Sequence, residues 1–273
     1  MDYILYERRE AVAVITLNRP DRRNAQNKQL LIELDQAWDM ARDDKDAKVI
    51  VLKANGPHFS AGHDIARDET YDAKVNEYMG DLKNKGLYDL YCWEGHYYLG
   101  FCRKWRDVPK PSIAAVQGAC IAGGLMLAWP CDLIVAADNA RFSDPVVRMG
   151  IGGVEYHGHT WEFGARKAKE MLFTGGAIDA KEAERLGMVN RVVPLDELES
   201  ATMALANQIA EMHPFALAMA KRAVNQTLDI MGQYAALQAA FDTHEMGHAS
   251  ALAQTGEPVL VGLTNLKAAN KAG

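Results

Sequence analysis

The segment that decides the fold reads Gln117-Gly118-Ala119-Cys120-Ile121-Ala122-Gly123-Gly124-Leu125. It follows the apolar run 113–116, which predicts a strand, and its paired glycines predict a turn into a helix. Glycine lets the backbone approach a ligand closely and adopt turn conformations that other residues avoid. The first N–H groups of a helix have no partner within it, and the helix dipole favours an anion there. The segment is therefore a candidate anion site, although a Gly-Gly pair before a helix is by itself more often only a tight turn.

A second glycine-centred turn reads Phe59-Ser60-Ala61-Gly62-His63-Asp64-Ile65 and also follows a predicted strand, at 49–52. One free N–H group from each turn can meet at a single oxygen, which is how a thioester carbonyl turning into an enolate would be stabilised. The segment around Gly123 has neither a Gly-x-Gly-x-x-Gly motif nor a Gly-Lys-Ser/Thr motif, so dinucleotide and P-loop interpretations are weak.

Around these turns, predicted strands and helices alternate. Strand patterns fall at 11–17, 49–52, 113–116, 133–136, 141–143 and 189–193, and helical spacing falls at 27–42, 87–105, from about 160, and at 180–186. Three more helices are predicted at 195–212, 214–231 and 233–253. This order indicates an α/β core followed by an α-helical part. We divide the chain into a core, residues 1–200, and a C-terminal region, residues 201–273.

Two polar segments stand apart from these elements. Residues 68–90 are charged and have few apolar anchors, which predicts a mobile surface segment. The tail from Thr264 is rich in Lys and Ala, and we expect it to act as an arm against a neighbouring subunit.

Composition excludes several classes of protein. The 273 residues are 49% hydrophobic, enough to bury a sizeable core, and the formal net charge is -6. Without a basic block, nucleic-acid binding is disfavoured, and an RNA-binding role has little support. The apolar stretch 112–129 is interrupted by Gln117 and by glycines, so it predicts core and not a membrane span.

The four cysteines form no Cys-x-x-Cys pair and show no metal-ligand spacing with histidine; they are Cys92, Cys102, Cys120 and Cys131. Free thiols in a reducing cytoplasm are the simplest interpretation, and the N-terminus lacks a signal-peptide pattern. We therefore expect a cytoplasmic protein with no metal site; His157 and His159 are read as loop residues.

Several further motifs follow one another in a fixed order over residues 5 to 230. They are Leu17-Asn18-Arg19-Pro20, Arg23-Asn24-Ala25, 59–64, 110–118, 122–128, 131–136, Ala140-Arg141-Phe142, 181–183 and 187–193. The whole series resembles the enoyl-CoA hydratase/isomerase, or crotonase, family. The resemblance implies a crotonase-like spiral core of ββα turns, an α-helical trimerisation part, and a homotrimer or a dimer of trimers.

The resemblance also implies the site. The two oxyanion-binding N–H groups would belong to His63 and Gly123, and the substrate would be an acyl-CoA. Coenzyme A is then part of the substrate, and no separate cofactor is expected. The residues expected to contact coenzyme A are Arg23, Ala25, Ala61 and Ile65.

The sequence departs from the family where hydratases carry two glutamates, since Met126 and Val146 stand there and neither side chain can accept a proton. We expect Glu155 to be the general base instead, with a pKa raised by apolar neighbours. Asp144 is the second candidate, although a strand-end carboxylate facing solvent or capping a turn is the commoner case. The His63 imidazole is expected to line the acyl pocket or to pair with Asp64.

The family's variable acyl-pocket helix corresponds to a segment dense in aromatic residues, which include Trp93, Tyr97, Tyr98 and Trp105. Core packing explains most of them, yet Glu94 and Tyr98 share a helical face and suit a polar contact to a bulky acyl group.

The resemblance implies an acyl-CoA-processing enzyme that is nominally an enoyl-CoA hydratase. With Met126 and Val146 in place of the glutamates, isomerisation, thioester hydrolysis or C–C cleavage fits at least as well. A protein that binds acyl-CoA without reacting is the alternative from a different class.

Overall fold

The computed structural model describes residues 1–65 and 86–261. The arm predicted from Thr264 and most of the surface segment predicted at 68–90 lie outside these residues. Within the described part of the chain, no helix combines the length and the apolar character needed to cross a membrane.

The elements follow the predicted alternation. The strands are β1 Ile4–Arg9, β2 Val12–Leu17, β3 Val49–Ala54, β4 Ser112–Val116, β5 Ala119–Ile121, β6 Leu133–Ala137, β7 Arg141–Ser143, β8 Ala177–Asp179 and β9 Arg191–Val193. The α-helices are α1 Lys28–Asp43, α2 Leu87–Glu94, α3 Phe101–Arg106, α4 Gly123–Ala128, α5 His159–Thr174, α6 Ala180–Leu186, α7 Leu198–Ala210, α8 Pro214–Ile230 and α9 Gln233–Thr255. A π-helical turn, Gly95–Gly100, joins α2 to α3, so the helix predicted at 87–105 is helical throughout.

A six-stranded sheet forms the centre, in the order β1-β2-β3-β4-β6-β9. Strands β1 and β2 pair antiparallel, and every other pair is parallel. All six residues of β2 are buried because both faces of the sheet are covered. Val12 and Val14 face a core shared with α7, whereas Ala13 and Ile15 face the larger core that includes α1.

A smaller sheet, β5-β7-β8, positions the turns predicted to carry chemistry. Ser60 forms an isolated parallel bridge with Cys120 of β5, and His63 forms one with Gln26. These bridges place the segment 60–63 between the turn that follows β2 and the strand that precedes α4.

The C-terminal helices differ in how they meet the core. Helix α9 buries a stripe at helical spacing that includes Leu237, Phe241, His244, His248 and Ala251. Helix α8 has no buried residue in the single chain, and large apolar side chains on it and beside it are exposed; they are Phe215, Met219, Val224, Ile230 and Met231. The boundary predicted at residue 200 falls inside α7.

Arg106, at the end of α3, links the core to α8 and α9 through hydrogen bonds. The residue is 7% exposed. Its guanidinium donates to the Asp229 carboxylate at 3.0 Å, to the Asn225 carbonyl at 3.1 Å and to the Gln233 side chain at 2.9 Å. A planar guanidinium suits several fixed acceptors at once.

Replacing Arg106 with Met should destabilise the protein, because Met fills the space of the arginine stem but leaves these acceptors unpaired. We expect the free energy of unfolding to fall by roughly 2–4 kcal/mol, measured by urea unfolding followed by circular dichroism. Arg222→Met on the exposed side of α8 is the matched control and should change little. A loss below about 1 kcal/mol in Arg106→Met would contradict this role.

Candidate active site

The two glycine-centred turns meet backbone to backbone. A Cβ placed on Gly62 would lie 3.2 Å from the amide nitrogen of Gly123 and 2.8 Å from the carbonyl oxygen of Ile121. Gly62 also has a φ of +90°, a conformation that side-chain-bearing residues rarely adopt. Only glycine fits here, and the contact brings residues 62–63 against the start of α4.

Each turn presents an amide that has no acceptor in the part of the chain that the structure describes. Gln26 receives a hydrogen bond from Asp64 N–H at 2.9 Å and donates one to the Gly62 carbonyl at 2.8 Å, which uses the groups on either side of His63. Among the described residues, none accepts a hydrogen bond from the N–H of His63 or of Gly123. Gly123 is the first residue of α4, where an unpaired N–H is expected. These two donors are of the kind that stabilises an oxyanion.

Buried polar side chains hold the turns in place. The Asn24 amide donates to the carbonyls of Asn55 and His58, both at 2.9 Å, and its own carbonyl accepts from the Ser60 hydroxyl at 2.8 Å. Arg19 pairs with Asp64 at 3.0 Å, and both side chains are largely buried.

The four residues expected to contact coenzyme A come from two segments that the fold brings side by side. Ala61 N–H donates to the Arg23 carbonyl at 3.0 Å, which joins the loop that includes Ile65 to the turn that includes Ala25. Arg23 is exposed, so its guanidinium can reach a phosphate outside the core. Contact with coenzyme A itself stays a prediction.

Glu155 and His63, 92 residues apart, face each other. The Nε2 atom of His63 lies 3.2 Å from both carboxylate oxygens of Glu155. The His63 ring also stacks on Tyr98, from the π-helical turn, with 4.0 Å between ring centroids. Of the two alternatives for the His63 side chain, pairing with Asp64 does not occur, because Nε2 faces Glu155 and not Asp64.

The expected upward shift in the pKa of Glu155 is also wrong in direction. Burial alone raises the pKa, but the charges of His63 and His244 outweigh it and lower the pKa of Glu155 to about 2. Apolar neighbours were visible in the sequence, whereas the two histidines come from distant segments. The carboxylate is therefore ionised, and it can accept a hydrogen bond from Nε2–H of His63.

The other ring nitrogen of His63 points to the oxyanion turns. Nδ1 is buried and has no hydrogen-bond partner among the described residues. A Cβ placed on Gly123 would lie 2.9 Å from this atom. With Nε2 protonated and bonded to Glu155, Nδ1 carries a lone pair beside Gly123, which is the arrangement of an imidazole base oriented by a carboxylate.

Asp144 is fully buried and has partners of its own. It accepts hydrogen bonds from the N–H groups of Val154, at 2.9 Å, and Val146, at 3.3 Å, and lies 3.0 Å from His159 Nε2. The carboxylate thus ties down the loop that leads to Glu155. Of the two non-catalytic alternatives given for Asp144, capping of a turn agrees with these contacts and exposure to solvent does not.

The two residues at the expected glutamate positions, Met126 and Val146, are apolar and also have apolar surroundings. Met126 is buried in the large core, and Val146 packs against the edge of that core. Neither position offers a proton acceptor beside the two turns.

A cluster that the sequence-based predictions missed adjoins Glu155. His244 Nε2 lies 3.6 Å from Glu155 Oε1 and 3.2 Å from Glu94 Oε2, so Glu94 is already engaged within the protein. Burial lowers the pKa of His244, but the carboxylates of Glu155 and Glu94 raise it to about 10. Burial and the charge of Glu94 raise the pKa of Glu245 to about 9. The available signal was the presence of polar residues at 244, 245 and 248 on the buried stripe of α9.

A separate open groove of about 710 Å³ lies between α5 and α6. Its lining includes Arg166, Lys167 and Arg185 but none of the predicted site residues.

Comparisons with known proteins identify the same family over nearly the whole chain. The sequence profile of the family described as "Enoyl-CoA hydratase/isomerase" matches residues 7–257. The Mycobacterium tuberculosis protein EchA13, whose name assigns it provisionally as an enoyl-CoA hydratase, is 44% identical over 258 residues, covering 91% of this chain and 81% of that protein.

Solved structures agree. The crystal structure of a probable enoyl-CoA hydratase from Mycobacterium smegmatis is 59% identical, with a TM-score of 0.88, and the match covers 96% of this chain and 100% of the other. The crystal structure of an enoyl-CoA hydratase/isomerase from Xanthobacter autotrophicus is 32% identical, with a TM-score of 0.80 and coverage of 90% and 87%. The expected crotonase fold, with its mixed α/β core and C-terminal helices, is confirmed.

Proposed function

We propose that this chain, which belongs to the enoyl-CoA hydratase/isomerase (crotonase) family, stabilises the enolate of an acyl-CoA thioester with the N–H groups of His63 and Gly123. Membership makes it an acyl-CoA-processing enzyme, and the location of its chemistry is our proposal. The observation that carries it is the close backbone approach of Gly62 to Gly123, with one amide on each turn that has no acceptor within residues 1–65 and 86–261. Polarising the thioester oxygen lowers the energy of the charge that develops there.

We further propose that His63 and Glu155 together move the proton. The ionised Glu155 would hold the proton of His63 on Nε2, so that Nδ1 is free to accept a proton from substrate or water beside the oxyanion site. Glu155 is then the positioning carboxylate and not the direct base that the sequence alone suggested. The fixed contacts of Asp144 leave it a supporting role in the loop.

The reaction type follows from how one imidazole can be used. An imidazole can take a proton from the α-carbon of a 3-enoyl thioester, which forms a dienolate, and return that proton to the γ-carbon, which is isomerisation. It can instead deprotonate water for hydration or thioester hydrolysis. Met126 and Val146 supply no second proton carrier, so we rank single-base reactions, isomerisation first, with ordinary hydration as the alternative. The side chains of His63 and Glu155 are only 18% and 3% exposed. A buried pair of a proton acceptor and a carboxylate beside the oxyanion turns argues against a protein that only binds acyl-CoA.

A panel of acyl-CoA thioesters tests the proposal. We expect the purified enzyme to bind coenzyme A thioesters and to convert at least one 2- or 3-enoyl-CoA, with the absorbance of the conjugated thioester reporting the direction. A loss of that absorbance with water added to the product is hydration, and a gain from a 3-enoyl-CoA is isomerisation. Tight binding with no product from any thioester, analysed by mass spectrometry, would contradict the catalytic proposal.

We also propose that the enzyme assembles as a homotrimer or a dimer of trimers. The exposed apolar side chains of α8 support this, since Ile230 alone is 87% exposed in the single chain and such a face is costly in water. Light scattering coupled to size-exclusion chromatography measures the mass, and a monomer at micromolar concentration would refute the assembly.

A further inference from the structure

The cluster between α2 and α9 contains a sequence motif with a specific chemistry. Residues 244–248 read His-Glu-Met-Gly-His, in which two histidines four residues apart share one face of α9. The H-E-x-x-H spacing on a helix is that of two zinc ligands. Glu94, the last residue of α2, faces both histidines, and each of the three residues is 5% exposed.

Backbone carbonyls fix the tautomers of both histidines. His244 Nδ1 lies 2.6 Å from the Gly153 carbonyl oxygen, and His248 Nδ1 lies 2.6 Å from the Pro258 carbonyl oxygen. A carbonyl only accepts hydrogen bonds, so each Nδ1 must carry a proton. When the rings are neutral, both Nε2 atoms therefore present lone pairs. An Nδ1–H bonded to a carbonyl is the usual support of a metal-bound histidine.

The three remaining ligand atoms converge. His244 Nε2 lies 3.0 Å from His248 Nε2, and Glu94 Oε2 lies 3.2 Å from the first and 3.7 Å from the second. Ligands held 2.0–2.1 Å from a zinc ion at tetrahedral angles are about 3.3 Å apart. The triangle therefore has the size of one face of a zinc coordination sphere.

Lone pairs and a carboxylate cannot face one another so closely without a positive charge between them. A proton on His244 Nε2 can serve its contacts with His248 Nε2 and with Glu94 Oε2, but it leaves the edge between those two atoms unshielded. A metal ion can bind all three atoms at once, because they lie at the corners of a triangle and not along a line. The chemistry of two imidazoles and one carboxylate suits Zn²⁺ among the common divalent ions.

We propose that Glu94, His244 and His248 form a binding site for a divalent transition-metal ion of the Zn²⁺ class. This goes beyond the proposed thioester chemistry and departs from the expectation of no metal site. Three protein ligands leave a coordination position open, and Glu155 Oε1, 3.6 Å from His244 Nε2, adjoins the site. The ion would link α2 to α9 directly behind the His63–Glu155 pair.

Metal binding by the whole protein, produced without a polyhistidine tag, tests the site. The protein is dialysed against EDTA and titrated with Co²⁺ and with Zn²⁺ by calorimetry, while the visible absorbance of Co²⁺ reports its coordination. We expect one ion per chain, a Co²⁺ spectrum of low coordination number, and a higher thermal unfolding temperature with Zn²⁺. Failure of wild-type protein to take up either ion would overturn the proposal, and would leave a shared proton in its place.

Two ligand variants locate the ion. His248→Gln and Glu94→Gln should each weaken Zn²⁺ binding by more than about 100-fold, beyond the cost of losing an outer hydrogen bond. His213→Gln changes an exposed histidine before α8 and should bind as the wild type does. Unchanged binding in both folded ligand variants would overturn the proposal. Circular dichroism checks that each variant is folded. If both variants are unfolded, the titration of the wild-type protein alone decides whether the proposal holds. None of these measurements needs turnover, so they are independent of the thioester assay.

Discussion

Glu155→Gln should lower kcat by roughly 10²–10⁴-fold on the acyl-CoA that the panel identifies, the range lost with a general acid–base unit. Gln is nearly the same size as Glu, so the packing around Tyr98 and His63 should survive. The substitution removes the negative charge that favours a proton on His63 Nε2, and its NH₂ group can face that nitrogen and reverse the tautomer. Steady-state kinetics with the same thioester measures the loss.

The charge-matched control is Glu211→Gln, an exposed carboxylate after α7, which should leave kcat unchanged. His63→Ala completes the test because it removes the imidazole and keeps the backbone N–H. We expect it to lose about as much activity as Glu155→Gln, and the double variant to lose little more, since members of one unit are not additive. Full activity in His63→Ala would refute the imidazole base and leave only the amide of residue 63 in use.

The parts of the fold that the sequence predicts well are those with strong apolar patterns. Strand β2 and helices α6 and α8 lie within a residue or so of their predicted ranges. Strand β1 was not predicted because it is an edge strand with one buried residue and charges at Glu7, Arg8 and Arg9. Strands β5 and β8 have three residues each, too few to show a period.

The candidate site divides in the same way. Its backbone part is visible in the sequence because Gly62 and Gly123 mark the points where the chain must pass without side chains. Its side-chain part is not visible, since the contact between His63 and Glu155 spans 92 residues and depends on how two loops pack. The same distance explains the misjudged pKa of Glu155: local sequence shows apolar neighbours but not the histidines that face them.

The polar cluster on α9, by contrast, is indicated by the local sequence, although the sequence-based predictions did not include it. Buried positions of a helix are ordinarily apolar, and a charged residue is rarely buried without a partner. The segment 244–248 places two histidines and a glutamate on or beside the stripe that also includes Phe241. Polar residues that keep core spacing predict an internal partner, and Glu94 is that partner here.

Gly123→Ala should abolish most activity while leaving the fold intact, with kcat lower by roughly 10²–10³-fold. The added Cβ would lie 2.6 Å from Cε1 and 2.9 Å from Nδ1 of His63, closer than carbon contacts allow. The imidazole must swing away, which breaks its contact with Glu155 and fills the space beside the Gly123 N–H. A side chain can move at little cost, so the thermal unfolding temperature should change far less than kcat.

Gly152→Ala is the matched control, because a Cβ there meets no atom within 4 Å and the loop is the one that leads to Glu155. It should keep wild-type turnover, which would show that an added methyl group near the site is harmless in itself. In the proposed site the amide donor belongs to Gly123 and the proton carrier, His63, lies beside the same residue, so Gly123→Ala disturbs both. Wild-type kcat in Gly123→Ala, with folding unchanged, would mean that substrate does not react beside residue 123.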